Sequence, residues 1–285
     1  MKETVLITGA NSFIAKHLTP LLSSRYTLKF LTRTPKAENE YAWDVAAGSI
    51  AAGALDDVDY IVHLAGSKLN DGQPLTSERK ALIRESRIGS AKLLREKLQA
   101  RGQRLKAFVS ASAIGYYGFS ESAIEIDETG QKGFGFIADL CADWEQAAED
   151  FKIHAVADHV SKIRVSIVLG NDGGIFPMYR QQVSTQPNAA LQAANGALPW
   201  NHVEDMAGIF AFALEEKLDG IYNSVAPIAA TSQDVMQAIA NNMHGQTATI
   251  HPYAGQHLVA HKIQDAGFKF KYPSIESAVN QLIAE

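Results

Sequence analysis

TVLITGANSFIA, residues Thr4 to Ala15, decides the fold: an apolar run, Thr4–Thr8, is broken by Gly9 and followed by helically spaced residues. Phe13, Ile14, Leu18, Leu21 and Leu22 recur on one helical face, which can pack on a sheet. A strand that ends in glycine and opens a helix turns free backbone N–H groups, and the positive end of the helix dipole, toward the turn. In a pyrophosphate loop of this kind the first glycine makes the tight turn, the second admits the phosphates and the third lets helix and strand pack. Gly9 keeps the first place, and Ser12 and Ala15 fill the other two. Ala15 is small enough for its place. Ser12 is expected to offer its own N–H and a hydroxyl that can donate to a phosphate oxygen.

Outward from this stretch, short apolar runs alternate with amphipathic ones. Thr27–Thr32 reads as a second strand, Tyr41-Ala42-Trp43 as a short third and Tyr60–Leu64 as a buried fourth. Leu105–Ser110 reads as a fifth and Ile163–Leu169 as a sixth, with long helices predicted over Ser77–Ala100 and Phe136–Phe151. This order predicts an α/β Rossmann fold, a doubly wound parallel sheet, with a small C-terminal substrate lobe. Past Gly170 the texture changes: Asn171–Pro199 is rich in Gly, Pro, Gln and Asn and lacks periodic runs. Helical pattern returns after Asp205, which is expected to cap a helix starting at Met206, and again after Ser232 and Pro273. Residues 1–169, with a return segment 201–226, are therefore assigned to the nucleotide-binding domain. Residues 170–200 and 227–285 are assigned to a lobe closing over the carboxyl ends of the strands, where ligands bind in such sheets.

At 285 residues the chain can hold one large α/β unit with a smaller lobe. A net charge of -5, with no clustered Lys/Arg patch, argues against a nucleic-acid partner. The single cysteine, Cys141, excludes an internal disulfide framework and suits a reducing cytoplasmic setting. No membrane span or leader is expected, because the first apolar run is short and leads into a turn. No metal is expected either. His251, His257 and His261 fall in one segment, and His257 and His261 share a helical face, but no cysteine or carboxylate completes a ligand set.

Arg33 follows the second strand, where an acid would hold the ribose of NAD and an arginine can pair with the 2′-phosphate of NADP. The fourth strand ends in Leu64-Ala65-Gly66, small residues that let backbone approach a ligand. The cofactor-binding candidates are Gly9, Asn11, Ser12, Phe13, Ile14, Arg33, Asp44, Leu64, Ala65, Gly66 and Ser110, and the expected cofactor is NADP.

Thr8-Gly9-Ala10, Leu64-Ala65-Gly66 and Ser110-Ala111-Ser112, in this order, resemble the extended short-chain dehydrogenase/reductase superfamily. The chain looks more closely like its atypical "epimerase family" branch, the nucleoside-diphosphate-sugar epimerase-like proteins. The string Ser110-Ala111-Ser112-Ala113-Ile114-Gly115-Tyr116-Tyr117-Gly118 carries that likeness most specifically. Cys141 before Trp144-Glu145, Arg79-Lys80 with Ser86-Arg87, Gly173-Gly174, Trp200-x-His202-x-x-Asp205 and Ala226-Pro227 continue it. The resemblance implies a Rossmann fold, NADP and a C-terminal domain of unknown function. It also implies a Tyr-x-x-x-Lys pair, in which the lysine lowers the tyrosine pKa, and a serine holding the substrate oxygen. The aligned helix here reads Phe136-Ile137-Ala138-Asp139-Leu140, with neither phenol nor ammonium. Ser112 stays in place, and Tyr116 and Tyr117 are the remaining phenols, so these three are the catalytic candidates. In the superfamily the region of His202 borders the substrate cleft; for Trp200, core packing is the plainer reading.

Two functions stay open: an NADP-dependent oxidoreductase or epimerase acting on a small carbonyl or nucleotide-sugar, and a non-catalytic or regulatory NADP-binding protein. A cofactor-free scaffold is the third. A small molecule is the expected partner, and a homodimer is left open.

Overall fold

The computed structural model describes residues 2–69, 72–118, 124–186, 196–244 and 255–284. In chain order the elements begin with β1 (Thr4–Thr8), α1 (Phe13–Ser23), β2 (Thr27–Thr32), β3 (Glu40–Asp44), β4 (Ser49–Ile50) and β5 (Tyr60–His63). Then come α2 (Ser77–Arg84), a π-helical turn (Glu85–Gly89), α3 (Ser90–Ala100), β6 (Leu105–Ala113), a 3-10 turn (Ile114–Tyr117), β7 (Glu125–Ile126) and α4 (Phe136–Ile153). β8 (Ala157–Val165), β9 (Ile167–Gly170), β10 (Gly173–Gly174), α5 (Phe176–Thr185), β11 (Ala197–Leu198), β12 (Trp200–His202) and α6 (Val203–Glu215) follow. The chain continues through β13 (Gly220–Ser224), β14 (Ala230–Thr231), α7 (Ser232–His244), β15 (His257–Leu258), α8 (His261–Asp265) and α9 (Ile275–Ala284).

Eight strands form the main sheet in the order β13-β8-β6-β5-β1-β2-β3-β4, parallel throughout except for β4 against β3. From β1 the chain winds one way to β3, then returns past β1 to β5 and winds the other way. The reversal lies between β1 and β5, the place where a doubly wound sheet opens a crevice. The apolar run of β1 is continuous because both faces are covered. Val5 and Ile7 pack with Leu18 and Leu22 of α1 and with Met206 and Phe210 of α6. Leu6 packs on the opposite side with Ile61, Phe108, Leu94 and Phe151. A third apolar cluster joins Phe176, Val183, Trp200, Val235, Ile239 and Val279.

The sixth strand differs from the sequence expectation. β8 starts six residues earlier, at Ala157, and the chain leaves the main sheet at Ser166 to begin β9. Charge hid it. Lys162 and Arg164 are buried within β8, where Glu149 and Glu145 of α4 pair with them. The stretch read as irregular contains α5, ten residues long, which commits only Phe176, Tyr179 and Val183 to burial and is otherwise mostly polar. Asp205 does not cap α6: His202 is the N-cap, its ring accepting the Glu204 N–H. The Asp205 carboxylate instead accepts the Lys271 and Tyr272 N–H groups, each at 2.8 Å, and ties the segment before α9 to α6.

Candidate functional site

The crevice between β1 and β5 is set by a close approach of backbones. Gly9 has φ +69°, and a Cβ there would lie 2.7 Å from the Leu64 carbonyl oxygen. Only glycine satisfies both the left-handed turn and that spacing. Beneath it the Thr8 hydroxyl accepts the Leu64 and Ala65 N–H groups at 3.1 and 3.0 Å and lies 2.9 Å from His63 Nδ1. With its lone pairs taken, the hydroxyl donates to Nδ1, which assigns the imidazole proton to Nε2. Nε2 then donates toward Ser90 Oγ at 3.1 Å and the Arg87 carbonyl at 3.3 Å. Burial pulls the His63 pKa down to about 4, so the ring is neutral at pH 7. The network pins the loop after β5 to α3.

Around the loop after β1, the N–H groups of Phe13 and Ile14 carry no partner among the described residues. No acidic residue lies in the first turn of α1. An anion is therefore favoured there. Ser12 is used differently from the expectation: its N–H donates to Gly9 O at 2.8 Å, and its hydroxyl oxygen accepts the Ala15 N–H at 3.3 Å as the cap of α1. The hydroxyl proton stays available to an anion. Asn11 is exposed at the tip of the turn. The Phe13 ring packs so tightly on the β9–β10 hairpin that a Cβ on Gly170 or Gly173 would lie 2.5 or 2.7 Å from it. This accounts for Gly173, while Gly174 is required by its φ of +71° and by the Val168 carbonyl oxygen that a Cβ would strike. The His17–Asp172 contact at 2.9 Å fastens the same hairpin to α1.

Arg33 stands exposed just past β2 with no hydrogen bond or ion pair among the described residues. Asp44 ends β3 and accepts the Ala47 N–H at 3.0 Å, forming the turn into β4. Ser110 is buried and donates its hydroxyl to Ala111 O at 2.9 Å. Ala65 is buried, while Gly66 is exposed beside Arg87.

At the end of β6 the chemistry-bearing groups are tied to one another. The Ser112 hydroxyl donates to Glu145 Oε1 at 2.7 Å. Arg164, 1% exposed, grips the same carboxylate through Nε at 2.8 Å and Nη2 at 2.9 Å. The Arg164 guanidinium also lies 3.6 Å from the Tyr116 ring centroid and 4.7 Å from that of Tyr117. Tyr117 is buried and donates to Asn223 Oδ1 at 2.7 Å, and burial lifts its pKa to about 12. Tyr116 is half-buried. Leu140 is fully buried, and Phe136 is half-buried beneath the Lys80 ammonium. The sequence reading missed Glu145, Arg164 and His63 as members of these networks. Trp144-Glu145 and the basic residues of an apolar strand were their visible trace.

The remaining histidines of the described residues are spread over the fold. His257 lies on β15 and His261 opens α8, so they do not share a helix, and His251 lies outside the described residues. His202 packs on Tyr272 and meets Gln281 at 2.9 Å, and Trp200 is core, its N–H donating to Ile228 O. Among the described residues no cluster of His, Cys, Asp and Glu suits a metal. No helix there is long and apolar enough to cross a membrane.

The model of the NAD dependent epimerase/dehydratase family matches residues 5–226, and that of a domain of unknown function, DUF1731, matches residues 240–282. An epimerase family protein of Mycobacterium leprae is 26% identical across 98% of this chain and 95% of its own. The human epimerase family protein SDR39U1 is 27% identical across 98% and 99%. The crystal structure of human SDR39U1 with NADPH superposes with a TM-score of 0.78 at 25% identity, covering 99% of each chain. That of the nucleoside-diphosphate sugar epimerase from Corynebacterium glutamicum gives 0.81 at 25%, covering 99% of this chain, which spans 58% of that longer one.

Proposed function

The chain belongs to the NAD-dependent epimerase/dehydratase family, and from that membership we propose that it is an NADP(H)-binding protein acting on a small carbonyl or nucleotide-sugar substrate. The observation that carries the cofactor reading is the Gly9–Leu64 crevice at the strand reversal, with the unspent N–H groups of α1 at one end. The residues fit the group. The turn from Gly9 to Ile14 would hold the pyrophosphate, and Arg33, which has no partner among the described residues, would hold the 2′-phosphate. The NADPH in the human relative's structure supports the same choice.

When bound, the nicotinamide supplies a hydride donor or acceptor; the chain's own part is to orient a substrate and to move a proton. Ser112 is spent as a donor, so toward a substrate its oxygen can only accept unless its bond to Glu145 breaks. Tyr117 is spent as well, which leaves Tyr116 as the phenol at this end. A second reading, binding without turnover, is favoured by the same observations: the donor serine is committed, and Leu140 brings no charge.

The NADP assignment is tested by comparing NADPH and NADH affinities of the wild type and Arg33→Ala. A phosphate-pairing Arg33 makes the variant lose about tenfold or more toward NADPH and nothing toward NADH. Equal loss for both cofactors would reject the 2′-phosphate role. Oxidation of bound NADPH across a carbonyl panel separates turnover from binding alone.

A further inference from the structure

Among the described residues three cationic side chains are buried: Lys162, Arg164 and Arg87. Lys162 has Glu149 and Arg164 has Glu145. Arg87, 6% exposed, has no carboxylate partner among the described residues. Its Nη2 donates to Ser67 O at 3.0 Å, its Nη1 to Ile83 O at 3.3 Å and Ser86 Oγ at 3.4 Å, all uncharged acceptors. Its Nε has no acceptor, and neither has Nε1 of Trp144, whose ring centroid lies 5.0 Å from the guanidinium. Among the described residues two buried donors are thus unspent, beside a charge that no carboxylate neutralises. A guanidinium remains charged at neutral pH even where burial lowers its pKa. Burying a charge is costly unless it is paired, so an anionic partner is the simplest completion.

The surroundings are built for it. Arg87 sits in the π-helical turn between α2 and α3, and such a turn re-aims a side chain that a regular helix would place elsewhere. A Cβ on Gly66 would lie 2.8 to 3.1 Å from the guanidinium atoms, so glycine there keeps the loop after β5 open to it. That loop edges the crevice at the strand reversal, where ligands bind. Trp144 lies one turn beyond Leu140 on the same face of α4, so Arg87 faces the side of the helix where the expected ammonium is missing.

We propose that Arg87 binds an oxyanion, the carboxylate of a small substrate, between the loop after β5 and α4. The proposal rests on the crevice being a cofactor and substrate site. A carboxylate suits it better than the cofactor's own phosphates, for which the turn after β1 and Arg33 provide separate positions.

The test titrates the full chain with sodium acetate, and separately with inorganic phosphate, at constant ionic strength, with and without NADPH. The part of the tryptophan fluorescence change that is lost in Trp144→Phe reads Trp144, with Trp43 and Trp200 as background, and the thermal midpoint reads binding independently. Acetate should act saturably on the wild type and on Arg33→Ala, about tenfold or more weakly on Arg87→Met, and at an intermediate level on Arg87→Lys. Arg87→Lys keeps the charge and serves where Arg87→Met folds poorly. The proposal is overturned if acetate leaves the wild type unchanged in both cofactor states, or acts equally on wild type and Arg87→Met. It is also overturned if phosphate alone acts and its effect is lost in Arg33→Ala rather than in the Arg87 variants. NADPH affinity, measured in the same samples, reports the cofactor reading separately. Failure of NADPH to bind would reject that reading while the acetate arm without NADPH still judges Arg87.

Discussion

At the β1–β5 side of the crevice, the N–H groups of Phe13 and Ile14 and the guanidinium of Arg33 have no partner among the described residues. At the end of β6, Ser112 is spent on Glu145, Glu145 on Arg164, and Tyr117 on Asn223. The two sides belong to one sheet, in which β6 lies beside β5 and two strands from β1. Polar groups that hold a ligand must be left without internal partners, while groups that hold a fold must be satisfied by it. By that measure the first side is left free to bind, and the second is largely committed to the fold.

The sharpest way to break the comparison is Glu145→Ala. It leaves Arg164 buried without its carboxylate and Ser112 without its acceptor, and should cost about 3–5 kcal/mol of stability. Denaturant unfolding measures it, and Glu145→Gln, which keeps an acceptor, should lose less. A loss below about 1 kcal/mol, the scale of an exposed pair, would mean that the network is not the scaffold described.

Next comes acid. His63 is neutral when folded because burial holds its pKa near 4, against an ordinary value of 6.5. Between these values the unfolded chain binds the proton first, so stability falls as pH drops through that window, by about 3 kcal/mol in all. Above pH 6.5 the group has no effect. Thermal unfolding across this range should show the slope in the wild type, and His63→Gln should flatten that part of it. A slope unchanged in the variant would place the acid sensitivity elsewhere.

Gly9→Ala is smaller for the fold but larger for binding. A left-handed turn costs an alanine about 1–2 kcal/mol, and the methyl group must also push Leu64 away. The expected result is a modest drop in the melting midpoint together with a severe loss of NADPH affinity by fluorescence titration. Unchanged affinity would move the pyrophosphate off this turn.

The same contrast explains what was legible in the sequence. A covered parallel strand is a run of apolar residues, so β1, β5 and the winding order of the first half stand out, as does the turn at Gly9. The free groups of that side are backbone N–H groups, implied by the strand–glycine–helix pattern, and Arg33, marked by its place just past the second strand. Networks are different, because they join residues far apart in the chain: Glu145 meets Ser112 across 33 residues and Arg164 across 19. The charges that satisfy each other inside β8 and α4 look like surface residues when read singly, which shortened the sixth strand. Asp205 misled for a related reason. An acid at a helix start suggests a cap, yet its partners lie 66 and 67 residues away.

Tyr117→Phe tests the scaffold side with the smallest perturbation. The phenol donates to Asn223 Oδ1, whose own amide donates to Val259 O at 2.9 Å, so the hydroxyl is one link in a buried chain. Removing it leaves Oδ1 unsatisfied and should cost about 1–2 kcal/mol. A general acid or base works best with a pKa near the working pH. Burial holds this phenol near 12, far from that range. Any NADPH oxidation found with a carbonyl substrate should therefore survive Tyr117→Phe, and should fall in Tyr116→Phe if a phenol carries the proton. Loss of turnover in Tyr117→Phe with NADPH binding intact would reverse the assignment, because a group spent on the fold would then be moving protons.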